Sequence, residues 1–158
     1  MSQMCPVVHF EMPAEDRQRM AKFYQNAFGW QTQMLGEEMG NYVLATTTET
    51  DETGPKKPGA INGGFFPKKP DWPAQHPSVV IAVGDMQAAV KKVAEAGGEV
   101  LGQPMEIPGV GLYVSFFDSE RNRGEHAAAQ SAQWPCAEVG IGITRLSWCV
   151  WRGVSPVF

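Results

Sequence analysis

Hydrophobic and polar positions along the chain fall into two successive series with the same order of elements. The first opens with PVVHFEMP, which alternates, is rich in Val and Phe and is closed by Pro13; it predicts a strand. AEDRQRMAKFYQNAFG follows as a helix, with Met20, Phe23, Tyr24 and Phe28 at helical spacing, Asp16 near its start and Gly29 as the C-cap. WQTQML and NYVLATT read as strands, TETDETGPKKPG as a polar loop, and AINGGFFP as a strand. The Gly63–Gly64 pair in that strand predicts a bulge or a close backbone approach. After the loop KKPDWPAQHP the order returns: strand SVVIAVGD, then helix MQAAVKKVAEAGG with Met86, Ala89, Val90 and Val93 on one face. EVLGQPMEIP and GLYVSFFD then read as strands.

The return can be checked residue by residue. A shift of 69 positions, the difference between Asp85 and Asp16, superposes Gln18 on Gln87, Lys22 on Lys91, Ala27 on Ala96 and Gly29 on Gly98. Strand, aspartate, helix and glycine coincide together, so one module is used twice.

Composition narrows the function class. The 158 residues amount to about one domain, and the formal net charge of -4 argues against a nucleic-acid partner. No run of eighteen apolar residues is present, so no membrane span is expected, and MSQMCPVVHFEMP lacks the basic flank and apolar core of a signal peptide. A cytoplasmic location is the expectation. Cys5, Cys136 and Cys149 form no CxxC pair and are read as free thiols.

In these residues the chain resembles the vicinal oxygen chelate superfamily of glyoxalases, bleomycin-resistance proteins and extradiol dioxygenases. VVHFEMPAED, AKFYQNAFGW, AINGGFFP, SVVIAVGDMQAAVKKVAEAGGEVL and IPGVGLYVSFFDSERN carry the resemblance over about residues 6–123, within a glyoxalase-like bacterial subgroup. It implies an α+β fold of two tandem βαβββ modules, about 6–67 and 77–123, forming curved mixed sheets, and a homodimer. It also implies a small-molecule ligand cavity. The superfamily's metal enzymes draw ligands from the first and last strand of each module and use the ion as a Lewis acid.

This chain fills those positions poorly. His9 takes the first-ligand position, seven residues before Asp16; the same offset from Asp85 gives Ser78, a poor ligand for zinc, nickel, iron or manganese. His76 lies two residues earlier, in the loop before Pro77, and is the metal candidate that would stand in for the missing ligand. Asn62 stands on the last strand of the first module, where no carboxylate or imidazole is found. His9 is therefore read first as a hydrogen-bonded wall residue, with Glu11 on the same strand face. His9, Glu11, Tyr42, Asn62, Phe66, Trp72 and Ser78 are the expected ligand-cavity residues.

The fourth position falls in DSERNRGEHAAAQ. A family pattern matches at Asp118, Asn122 and Glu125, which makes Glu125 a metal candidate. Against it, GEHAAAQSAQ favours helix over strand, and Arg121 stands where the family has glycine. Three of the five tryptophans and two of the three cysteines follow Gln133. The expectation is an atypical tail over 124–158, produced by a one-base frameshift after about Arg123, with Glu125 an accident of the new frame. The rival expectation is a true extension that closes the cavity or packs on the partner chain.

Two functions remain. One is a metal-poor glyoxalase relative with a small-molecule cavity, including a sequestration protein of the bleomycin-resistance type. The other is a divalent-metal-dependent lyase or ring-cleaving dioxygenase.

Overall fold

The computed structural model describes residues 4–51, 54–72, 75–107 and 111–128. The first module runs β1 (Val7–Ala14), α1 (Arg17–Phe28), β2 (Gln31–Met34), β3 (Val43–Thr46), a two-strand excursion β4 (Thr50–Asp51) and β5 (Gly54–Pro55), and β6 (Asn62–Pro67). The second runs β7 (Ser78–Ala82), α2 (Met86–Glu95), β8 (Glu99–Ile107), β9 (Gly111–Phe117) and β10 (Arg123–Ala128). Eight strands form one mixed sheet in the order β2-β3-β6-β1-β7-β10-β9-β8. This is the expected α+β architecture of two tandem βαβββ modules.

The internal repeat is a symmetry of the sheet. β1 and β7 pair antiparallel at its centre, with His9 opposite Val80 and Glu11 opposite Ser78. The 69-residue shift exchanges these two pairs. Each module closes with a parallel pair, β1 with β6 and β7 with β10. Both helices start alike: Asp16 accepts from Arg19 N–H and Asp85 from Ala88 N–H, side-chain caps that satisfy donors with no intrahelical partner. Gly29 ends α1 at φ 70, in the left-handed region that glycine enters without a Cβ clash.

The helices cover one face of the sheet. Ala14, Ala21, Val43, Ala45 and Phe65 form one core cluster, with Phe10, Met20 and Tyr24 against it. Val83, Met86, Ala89, Val114 and Ala128 form the other. Strand alternation then sends His9, Glu11, Ser78 and Glu125 to the opposite face.

Four local expectations change. Pro13 lies inside β1 rather than ending it. β7 pairs with β1 only as far as Glu11, and a strand with one neighbour tolerates a residue that donates no hydrogen bond. On α1, Met20 and Tyr24 face the core, but Phe23 and Phe28 are 57% and 62% exposed, in an aromatic group with Tyr24 and Trp30. For the Gly63–Gly64 pair the expectation narrows to its second alternative, the close approach: a Cβ at Gly63 would overlap the Phe10 ring.

The fourth change concerns residues 124–128, expected to lie outside the second module. They belong to β10, which pairs with β9 from Arg123↔Phe117 to Ala128↔Leu112. Local propensity yields to burial here: Ala127 and Ala128 are both buried, and the small side chain of Ala128 packs in the core cluster beneath α2. Asp118 shapes the turn before β10 by accepting from Glu120 N–H and Asn122 N–H. Arg121 takes φ 66 in that turn, the left-handed conformation of the glycine it replaces. The expectations for the tail beyond Ala128, including Cys136 and Cys149, lie outside the described residues.

Candidate functional site

The polar face of the sheet is organised around Tyr42. Its hydroxyl donates to Glu11 Oε2 at 3.0 Å and lies 3.0 Å from His9 Nε2. His9 Nε2 and Glu11 Oε1 are 3.9 Å apart, beyond hydrogen-bond range, so the tyrosine is the bridge between them. Room for it comes from Gly64, where any Cβ would overlap the Tyr42 ring and hydroxyl.

A second group faces the same side from β7 and β10. Glu125 is 1% exposed, and its Oε1 lies 3.0 Å from Arg123 Nε. That separation pairs the charges, but the N–H is not aimed for a hydrogen bond. Arg123 donates through Nη2 to Ser115 Oγ at 3.1 Å. Three buried atoms here, Ser78 Oγ, Arg123 Nε and Glu125 Oε2, lack a well-aligned hydrogen bond, although Ser78 and Arg123 both stand close enough to the Glu125 carboxylate to pull its pKa down against the larger upward push of burial. Such atoms are costly to bury unless something satisfies them.

Burial governs the protonation states. It lowers the His9 pKa to about 4, so His9 is neutral. It pushes Glu11 well above the carboxylate range, reinforced by the charge of Glu125 and opposed by the Tyr42 hydrogen bond and Arg123. Glu125 is raised by burial against the opposing pull of Arg123. Tyr42 and Tyr113 are both pushed up, mainly by burial.

The register decides which residues stand in for one another. The repeat equates Glu11 with Val80. Glu11 pairs with Gly64 and Val80 with Glu125, so the first-module counterpart of Glu125 is Gly64, not Asn62. Asn62 serves structure instead: Oδ1 accepts from Thr47 N–H at 2.9 Å and Nδ2 donates to Thr50 Oγ1 at 3.0 Å, holding the turn after β3. The four symmetric positions are thus His9, Ser78, Gly64 and Glu125, and two of them carry a metal-binding side chain.

The sequence of residues 7–125 matches the Glyoxalase/Bleomycin resistance protein/Dioxygenase superfamily. The chain belongs to that superfamily. It is 30% identical over 115 residues to a Glyoxylase-like domain-containing protein of Didymella fabae, covering 71% of this chain and 84% of the relative. Among solved structures it resembles methylmalonyl-CoA epimerase in complex with methylmalonyl-CoA and NH4+, with TM-score 0.59 and 16% identity, covering 83% of this chain and 99% of the other. Streptomyces coelicolor methylmalonyl-CoA epimerase in complex with 2-nitronate-propionyl-CoA gives TM-score 0.58 and 17% identity, covering 82% and 98%. At these identities the structures share the fold.

A divalent metal is what the superfamily's enzymes lead one to test for. Three protein donors are the usual minimum for a catalytic centre. Among the described residues no group of three His, Cys, Asp or Glu side chains is placed to hold an ion. His9 and Glu11 are both turned to Tyr42, and Glu125 is turned to Arg123. The donor set does not fit a resident metal.

The remaining expected residues divide. His76 is exposed in the loop before β7. Phe66 and Trp72 are half-buried and meet at 6.1 Å; Lys69 Nζ stands 4.4 Å over the Trp72 ring, and Gln75 fastens the loop by donating to the Lys69 and Trp72 carbonyls. Arg123 escaped the sequence reading, and Gly64 was expected only as one of a pair marking a bulge or close approach, not as part of the site. Glu125, expected to be an accident, is the most buried carboxylate of the site. Its neighbour His126 points the other way, stacked on Phe116 at 4.4 Å on the helix side.

Proposed function

We propose that the chain is a metal-poor member of its superfamily that holds a small polar organic molecule on this face and exchanges protons with it. The observation that carries the reading is the buried group Ser78 Oγ, Arg123 Nε and Glu125 Oε2, which stand together without a well-aligned hydrogen bond among them. A ligand offering both a donor and an acceptor, such as a hydroxyl, amide or carboxyl group, would satisfy them. Beside the trio stands the acid–base set His9, Tyr42 and Glu11. A carboxyl group whose hold on its proton is strengthened by burial can serve as a general acid, and a neutral imidazole can give or take a proton. The superfamily includes enzymes that bind small molecules, and the methylmalonyl-CoA epimerase neighbours are consistent with proton chemistry on such a ligand.

The test is metal content per chain after purification without chelator, on wild type and His9→Ala, followed by a binding screen of small hydroxy acids and amides. The expected result is metal far below one ion per chain, with saturable binding weakened in Ser78→Ala and Glu125→Gln. Near-stoichiometric zinc, nickel, iron or manganese that disappears in His9→Ala would overturn the reading and restore the metal-dependent lyase or dioxygenase.

A further inference from the structure

We propose that Tyr42 is a proton relay joining Glu11 to His9, seated by the missing side chain of Gly64. The inference starts from the mismatch between the donor set and a metal, and it deepens the acid–base reading above, on which its catalytic meaning rests. Its geometry stands alone. The hydroxyl is 3.0 Å from a carboxylate oxygen on one side and 3.0 Å from an imidazole nitrogen on the other. The two ends are 3.9 Å apart and do not bond directly. A hydroxyl has one hydrogen and two lone pairs, so it can donate to only one partner while accepting from the other. The two bonds must therefore reverse together.

The arrangement in which Tyr42 donates to Glu11 Oε2 is that of the ionised carboxylate; with Glu11 protonated the direction reverses, so that its carboxyl donates to Tyr42 Oη, Tyr42 donates to His9 Nε2, and His9 keeps its own proton on Nδ1. When a ligand takes the Nδ1 proton, the N–H bond at Nδ1 breaks and one at Nε2 forms with the tyrosine hydrogen. The Tyr42 O–H bond re-forms with the hydrogen of Glu11, whose own O–H bond breaks. The net change is one proton moved from Glu11 to the ligand, with no change of oxidation state. Glu11 is then the buried proton store and His9 Nδ1 the delivering atom. The other charged or titratable groups facing the relay are Glu125 and Arg123 from β10 and Tyr113 from β9.

Gly64 is the positioning residue. The repeat makes it the counterpart of Glu125, and its lack of a side chain is what admits the Tyr42 ring. At this position the second module has a carboxylate, and the first has a hydroxyl reaching in from the residue just before β3.

The experiment is NMR of the ligand-free full chain at one neutral pH, labelled with 15N in histidine rings and 13C in glutamate carboxyls. The expected wild-type signature is a Tyr42 hydroxyl proton protected from exchange with water, with through-bond coupling to His9 Nε2, and His9 in its Nδ1–H tautomer. In Tyr42→Phe the tautomer preference should collapse toward that of free imidazole. In Gly64→Ala the protected hydroxyl signal should disappear. A Tyr42 hydroxyl exchanging freely in the wild type, or a His9 tautomer unmoved in Tyr42→Phe, would overturn the relay. Ligand binding is measured separately, so a failed relay with intact binding at Ser78 and Glu125 leaves the broader reading standing.

Discussion

Tyr42 lies across Gly64, and each requires the other: a Cβ on the glycine would overlap the tyrosine ring and its hydroxyl. Gly64→Ala should therefore destabilise the chain although it adds one methyl group, by about 1–3 kcal/mol, the usual cost of overpacking. Strain from a positive φ does not enter, because Gly64 is not among the left-handed glycines. Tyr42→Ala vacates the same space, so the two substitutions should not add. Urea unfolding of both singles and the double measures the coupling; additive losses would place the clash elsewhere.

The pH dependence of stability should have opposite slopes on its two sides. His9 has its pKa lowered from 6.5 to about 4, so the unfolded chain binds the extra proton first. Its contribution is present above pH 6.5 and is lost as pH falls toward 4, on the order of 3 kcal/mol in all. Glu11 and Glu125 are raised, so the folded chain holds their protons longer. Stability from this source is present below the unfolded value of 4.5 and declines as pH rises through the folded values. Chemical unfolding across pH 4–9 should show His9→Gln flattening the acid limb and Glu11→Gln the neutral-to-alkaline limb.

The pairing of Arg123 with Glu125 is unequal in its consequences. Removing the cation by Arg123→Met leaves a buried carboxylate with no opposite charge beside it, a loss of about 3–5 kcal/mol at neutral pH. The loss should shrink in acid, where Glu125 can be neutralised by protonation. Glu125→Gln leaves the guanidinium, which retains Ser115 as a partner, and should cost less. Thermal denaturation of both variants at pH 5 and pH 8 checks the ranking; equal losses at both pH values would mean that Glu125 is not charged beside Arg123.

Much of this fold was legible because its signals are local. Asp16, Asp85 and Gly29 announce helix ends by side chain and backbone chemistry within a turn, and the 69-residue repeat carried that information to the second module. His9, Glu11 and Ser78 could be placed on one face by counting in twos. What was not legible depends on register. Nothing in AINGGFF says that Gly64 rather than Asn62 answers to Glu125, or that a tyrosine twenty-two residues earlier (64 minus 42) fills the gap. Ala127 and Ala128 read as helix because propensity is a property of the segment, whereas their burial, Ala128 beneath α2, belongs to the whole sheet. The Gly63–Gly64 pair was the one local sign of a close approach, and it pointed to the right strand.

The two modules should also respond alike to the same insult. Asp16 and Asp85 hold the first turns of α1 and α2 with matching bonds, at 2.9 Å and 3.0 Å. Each Asp→Ala substitution leaves a backbone N–H without its partner and should cost about 1 kcal/mol. The caps sit in separate modules and share no partner, so the losses should add in the double variant. Hydrogen exchange separates the modules: Asp16→Ala should loosen the amides of α1 before those of α2, and Asp85→Ala the reverse. If either substitution loosened both helices equally, the modules would open as one unit. The antiparallel β1–β7 pair at the centre of the sheet would then have to be the element that joins them.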